Sequence, residues 1–362
     1  MAERRVAPEI ELLCGGRVHA GWKAARVSRS MEHCANSFDL ETTELWPGRT
    51  QPFVVMPGNA CELRVAGEVV ISGYVDDVDL SIDDKQHGVA LRGRDRAADL
   101  IDCSAVVKGG QWTGQRVEAI AAQLAKPFGV RVGVAVDSGK PLATFALQHG
   151  ETAFEAIDRA ARMRALLVVS DARGGIVITR AGTEVIATAL VLGENVLQAR
   201  MKLSQRERFS RYIALGQTGA ALAFFQDAAA LKKATHVRAE AVDAEVLRYR
   251  PLIITAEAQD VAASLAQRVQ WEANVRAARS NELSVTVAGW THAAGLWAPN
   301  RLVHAELPAL RVSGQLLIKA CQFNLDSSGA TTELTLTRRD AFTILPLKVA
   351  TGVALKLDEP KK

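Results

Sequence analysis

The sequence is short of what catalysis and membrane insertion need. Its 362 residues hold five cysteines, Cys14, Cys34, Cys61, Cys103 and Cys321, an odd count at wide spacing with no CxxC pair. That pattern fits reduced, buried thiols and not a disulfide framework. The nearest approach to a zinc site, His33 beside Cys34, is two adjacent residues that seldom share one metal. Aromatics make up 5%, too few for the stacking platforms that hold single-stranded nucleic acid. Lys and Arg total 44 against 40 Asp and Glu, and a net charge of +4 is too slight to mark a nucleic-acid binder. No apolar run reaches the roughly 18 residues of a membrane-spanning helix. The charged opening MAERRVAPEIELL predicts no secretory signal.

Catalytic motifs are missing too. No G-x-S-x-G elbow, HExxH pair or G-x-G-x-x-G loop after a strand occurs. Gly133 to Gly139-Lys140 faintly resembles a phosphate loop, but Pro141 stands where a Ser or Thr would hold magnesium, so it reads as a turn. The densest acidic group is Asp76, Asp77, Asp79, Asp83 and Asp84. Paired carboxylates can hydrolyse glycosidic bonds, whereas charges along a strand edge also discourage unwanted pairing. The run 199–211 carries Arg200, Lys202, Arg206, Arg208 and Arg211 against one acid, Glu207. It reads as a solvated face, or as a surface for an acidic partner or for DNA.

Alternation dominates the first hundred residues. Val78, Leu80 and Ile82 alternate with Asp77, Asp79, Ser81 and Asp83, and alternation resumes at Val89 and Leu91 beyond a polar turn, which predicts a β-hairpin. Between about 111 and 190 the period changes. Val117, Ile120, Ala121 and Leu124 predict a helix that Pro127 ends, and Thr152 with Glu155 predicts a capping box opening a second. Leu166–Val169 and Ile176–Thr179 flank a Gly-rich turn and predict another hairpin. Strands return near 200, interrupted by an Ala-rich helix at about 256–279 that Thr255 could cap and Asn281 could help end.

Sliding the chain by 245 residues lays Val78, Leu80, Val89 and Leu91 on Phe323, Leu325, Leu334 and Leu336, and Arg94-Asp95 on Arg339-Asp340. A slide of 241 lays Asn59 on Asn300, Ile71 on Val312 and Gly73 on Gly314. One supersecondary unit used twice is the economical reading. The expected fold class is α+β, mainly β: two related small antiparallel β-barrels with an intervening α+β domain and a helical insertion. The expected boundaries are 1–105 for the first barrel, 106–195 for the α+β domain, 196–250 and 281–346 for the second barrel, 251–280 for the insertion and 347–362 for a tail. Three such chains around an axis would display six similar units.

A series of short motifs adds a family resemblance. Gly73-Tyr74-Val75-Asp76-Asp77-Val78 leads to Gly93-Arg94-Asp95-Arg96-Ala97-Ala98-Asp99-Leu100-Ile101-Asp102-Cys103-Ser104. Lys126-Pro127-Phe128-Gly129-Val130, Ser210-Arg211-Tyr212, Gly216-Gln217, Arg250-Pro251-Leu252, Leu296-Trp297-Ala298-Pro299-Asn300 and Leu316-Leu317-Ile318 follow in order. The series resembles baseplate hub proteins of contractile-tailed phages, above all the Mu-like group. It also resembles late-control D proteins and the N-terminal part of VgrG spikes.

The resemblance implies a structural virion protein without catalytic residues, cofactor or metal. It implies a homotrimeric ring with a central channel, the hexameric tail tube above and the trimeric central spike below. Other baseplate proteins would be partners, DNA would pass through, and the ring would not insert stably into a membrane. With no room for a fused needle or lysozyme domain, a separate spike protein is expected. A rival reading is a tail-associated cell-wall hydrolase using the acidic cluster at 76–84. A weaker one is a DNA-binding module using Arg200–Arg211.

Overall fold

A computed structural model describes residues 9–43, 55–82, 87–216, 238–256 and 262–342. Twelve strands carry the architecture. β1 (Ile10–Cys14), β2 (Ala24–Ser30), β3 (Ser37–Thr43), β4 (Ala60–Val65), β5 (Glu68–Ile82) and β6 (His87–Asp95) come first. β7 (Val185–Val191), β8 (Val196–Leu203), β9 (Asn281–Ala288), β10 (Leu302–Leu307), β11 (Val312–Asp326) and β12 (Gly329–Thr337) follow. Alternate residues face inward along these strands, as in Ile10, Leu12 and Cys14 or Leu283, Val285 and Val287.

The two sets repeat the same spatial order. The first runs β2-β3-β6-β5-β4-β1, and the second runs β8-β9-β12-β11-β10-β7. Each strand therefore has a counterpart six labels on. The outermost pair differs in sense: β1 is antiparallel to β4, whereas β7 is parallel to β10. Both long hairpins carry a β-bulge at the same place. Val75 faces Gly93 and Asp77 faces Arg92, while Ile318 faces Leu336 and Ala320 faces Thr335, each counterpart 243 positions on. Val75 donates to the Asn59 carbonyl and accepts from the Gly58 N–H; Ile318 does the same with Arg301 and Asn300.

The sequence slide of 245 is thus two residues long. Two is one full strand period, so every side chain stays on its face and the apolar match survives the error. Close packing at the first hairpin needs glycine, since a Cβ on Gly93 would run into the Phe38 ring and the Tyr74 carbonyl oxygen.

Four expectations change. First, pairing among the described residues does not close two separate barrels. The free edge of β2 pairs with β11 of the second set, so one 13-stranded sheet runs through both. Second, Pro251–Ala256 is a strand and the helix spans Ala262–Ser280, so Thr255 is no helix cap and Asn281 opens β9. Third, part of 196–250 leaves the large sheet. Arg211–Gly216, Arg238–Val242 and Pro251–Ala256 make a three-stranded sheet of their own, where Tyr212, Ala214 and Ala241 pack on Leu265, Val269 and Ala273 of that helix. Fourth, Val185–Val191, expected within the α+β domain, joins the large sheet as β7.

Between the two sets lie three helices, α1 (Ala98–Asp102), α2 (Val117–Ala125) and α3 (Ala153–Arg162). The helix Ala262–Ser280 is α4. Val117, Ile120, Ala121 and Leu124 are all buried, and a 3₁₀ turn containing Pro127 follows α2. Thr152 and Glu155 form the expected capping box at α3. Leu167–Ser170 pairs with Ile176–Thr179 as the expected hairpin. The tail 347–362 and two members of the acidic group, Asp83 and Asp84, lie outside the described residues.

Candidate assembly interface

The place where the two strand sets meet is the most informative site in the chain. β2 and β11 pair antiparallel from Ala25 opposite Leu325 to Ser30 opposite Ala320. On the inner face Val27 and Phe323 are fully buried, with Ala25 and Cys321 beside them. On the other face the Ser28 hydroxyl donates to Gln322 Oε1 at 3.2 Å.

Lys319 clamps this seam. The bulge between Ile318 and Ala320 leaves it unpaired in the β11–β12 ladder. Its Nζ lies 2.9 Å from Glu32 Oε2 beyond β2 and 2.9 Å from Glu282 Oε2 of β9. Burial opposes the ammonium charge, but the two carboxylates outweigh it and raise the pKa. Burial likewise opposes the Glu32 charge, and Lys319 and Arg279 hold its pKa low. The sequence reading passed over all three residues. A lysine inside the apolar run Leu316-Leu317-Ile318-Lys319-Ala320 was the one local signal of a bulge.

The counterpart bulge residue in β5 is Asp76. Arg94 Nε donates to it at 2.7 Å, and Arg94 also binds Asp102 at 2.7 Å. Asp77 and Asp79 stand exposed on the strand beyond. Among the described carboxylates of the cluster, an ion-paired Asp76 and the exposed Asp77 and Asp79, none is the buried acid that glycoside hydrolysis requires. Asp95, at the end of β6, is the buried carboxylate of this region. It accepts from the Asn36 N–H at 2.8 Å and the Ala97 N–H at 3.1 Å, and burial pushes its pKa up to about 6. Its work is to tie the strand end to the turn before β3.

The basic run divides. Arg200, Lys202 and Arg206 are exposed. Arg208 is 5% exposed, held by Asp243 at 2.8 Å and Glu245 at 2.7 Å, and belongs to the small α/β unit. Four cysteines are buried and Cys103 is exposed; all five are free. Burial pushes the thiols of Cys61 and Cys321 up to about 12. Among the described residues no three His, Cys, Asp or Glu side chains gather as a metal site, and no helix is long and apolar enough to cross a membrane.

Three family models match in sequence: the N-terminal domain of Mu phage baseplate assembly protein GpP-like over residues 9–95, the second domain of baseplate hub protein gp44-like over 97–180, and the fourth domain of GpP over 261–345. The baseplate hub protein gp44 of Escherichia phage Mu is 35% identical over 92% of this chain and 89% of its own length. The chain belongs to the Mu-like baseplate hub family, whose members are named as structural proteins of the virion tail and not as enzymes.

Solved structures agree. The 43 kDa tail protein of prophage MuSo2 from Shewanella oneidensis has a TM-score of 0.82 at 35% identity, covering 92% of this chain and all of that one. A tail protein from Neisseria meningitidis shares the fold, with a TM-score of 0.79 at 21% identity over 92% of this chain and 97% of its own. A type VI secretion component of E. coli described as similar to phage T4 gp27 and gp5 shares it more distantly, with a TM-score of 0.52 at 12% identity over 92% of this chain and 75% of its own.

Proposed function

We propose that this hub protein acts as a symmetry adaptor. Three chains form a ring around a central channel, and the two six-strand sets of each chain give six quasi-equivalent units. A six-fold tail tube can then sit on one side and a three-fold central spike on the other, with the genome passing through the channel. The observation that carries this reading is the doubled strand order, with a shared bulge 243 positions apart. In domain terms, β1–β6 and β7–β12 are the ring units, 97–180 is an outer α+β domain, and 204–280 is an insertion between β8 and β9.

Binding is the whole mechanism, since the ring must hold its partners and tolerate DNA. The test is the mass of the purified protein by multi-angle light scattering at micromolar concentration, with projection images of the particles. Three chain masses and a ring with a central hole are expected. A stable monomer would overturn the reading.

A further inference from the structure

The seam between β2 and β11 has an unfilled counterpart. By the shared strand order, β8 corresponds to β2 and the outer half of β5 corresponds to the outer half of β11. Among the described residues no strand pairs with the outer edge of β5 beyond Val75, nor with the outer edge of β8. We propose that β8 of a second copy of this chain pairs antiparallel with β5 from Asp77 to Ile82, in the register that β2 adopts on β11. The proposal rests on the ring reading and names the contact that closes the ring.

The register follows from pairings in hand. Leu40 faces Leu91 and Ala25 faces Leu40; in the second set Val285 faces Leu334 and Ala199 faces Val285. Ala25-Arg26-Val27 therefore falls on Ala199-Arg200-Met201, an echo in sequence as well as in position. Beyond the strands the Ser30 hydroxyl accepts from the Glu32 N–H, and the Ser204 hydroxyl accepts from the Arg206 N–H, the same local turn. Transferring the internal pairs places Val78 opposite Leu203, Leu80 opposite Met201 and Ile82 opposite Ala199 on one face. The other face sets Asp79 opposite Lys202.

Exposure and charge both fit this occupant. Phe323 is fully buried in the internal seam, whereas its counterpart Leu80 is 67% exposed, with Ile82 at 73% and Leu203 at 58%. An open edge bearing exposed apolar residues is a template for another strand. The internal polar pair Ser28–Gln322 is replaced by a carboxylate facing an ammonium. The clamp transfers as well. Lys319 meets Glu32 across the internal seam; the same positions hold Asp76 and Arg206, with both signs reversed and attraction kept. Such a contact is head-to-tail, the kind that builds a ring when the rotation from one copy to the next closes on itself.

Two measurements on the full-length chain test it. In a Cys103→Ser background, Asp79→Cys with Lys202→Cys should oxidise to a covalent trimer on a non-reducing gel. Asp77→Cys with Arg200→Cys, about 13 Å out of register at ~3.3 Å per residue, should not. Light scattering on the same reduced samples gives the mass. Asp79→Lys alone should weaken association by about tenfold, and adding Lys202→Asp should restore it. A trimer that fails to cross-link at 79 and 202, or cross-links only at 77 and 200, overturns the seam and leaves the ring standing. A dimer or tetramer cross-linked at 79 and 202 upholds the seam and overturns three-fold symmetry. A monomer without cross-links overturns both.

Discussion

Phe323 and Leu80 occupy equivalent places in the two long hairpins, yet one is fully buried and the other is 67% exposed. The backbone around them is alike: same bulge, same strand order, same closing bonds to the preceding loop. What differs is the neighbour. β11 has β2 on its outer edge, and β5 has none among the described residues. Duplication therefore gave one chain a satisfied seam and an unsatisfied copy of it. The first holds the two strand sets together, and the second is the edge proposed to carry assembly.

Substitutions at paired positions sharpen or break that comparison. The largest difference is expected between Phe323→Ala and Leu80→Ala. The first should cost about 3–5 kcal/mol in urea unfolding. The second should cost about 0.5 kcal/mol or less within the dissociated chain. Equal losses would mean that the two hairpins are not energetically distinct.

The next contrast is between Asp95 and Asp340, acids that the sequence slide of 245 aligns although the structural counterpart of Asp95, 243 positions on, is Arg338. Asp95 has a folded pKa of about 6, above the usual carboxylate value, because of burial. The folded state then binds its proton more tightly than the unfolded chain does. Stability from this group is full below about pH 4 and falls as pH rises to 6, by up to about 3 kcal/mol. Asp95→Asn should flatten that part of the stability–pH curve. Asp340, ion-paired with Arg338 at a partly exposed position, should shift stability by about 0.5 kcal/mol or less on Asp340→Asn. A curve unchanged in Asp95→Asn would remove Asp95 as its source.

Smaller differences are expected at the clamps. Lys319→Ala leaves Glu32 and Glu282 facing each other and should cost about 2–3 kcal/mol, discounted from a fully buried pair for partial exposure. Asp76→Ala leaves Arg94 bound to Asp102 and should cost about 1 kcal/mol or less by thermal unfolding. The smallest effect is Arg206→Ala in the dissociated chain, about 0.5 kcal/mol or less, against about 1–2 kcal/mol for Glu32→Ala. A costly Arg206→Ala would show that Arg206 already has a partner inside the chain.

Much of this was legible from residue order. Alternation at Val78–Leu91 gave the hairpin, the 3.6-residue spacing of Val117–Leu124 gave α2, and Thr152 with Glu155 gave the α3 cap. Each depends on neighbours a few residues apart, so the chain writes it locally. The slide of 245 found the repeat but missed its register by two, because a shift of one strand period preserves inside and outside. The helix expected from 256 stands at 262–280, since the preceding Leu252, Ile253 and Ile254 are β-branched or apolar and pair in parallel with Tyr212, Ile213 and Ala214. Arg208 looked like one more surface cation until Asp243 and Glu245, over thirty residues later, closed on it.

Residue order alone determined that this is a mainly β chain with a doubled strand unit and no catalytic motif. Only the tertiary structure decided which edges are joined and which stay open. That choice depends on β2 meeting β11 some 290 residues away in sequence. Backbone donors and acceptors are the same on every strand, so nothing local marks an edge as taken. The partner does so, by covering Phe323 and leaving Leu80 to the solvent.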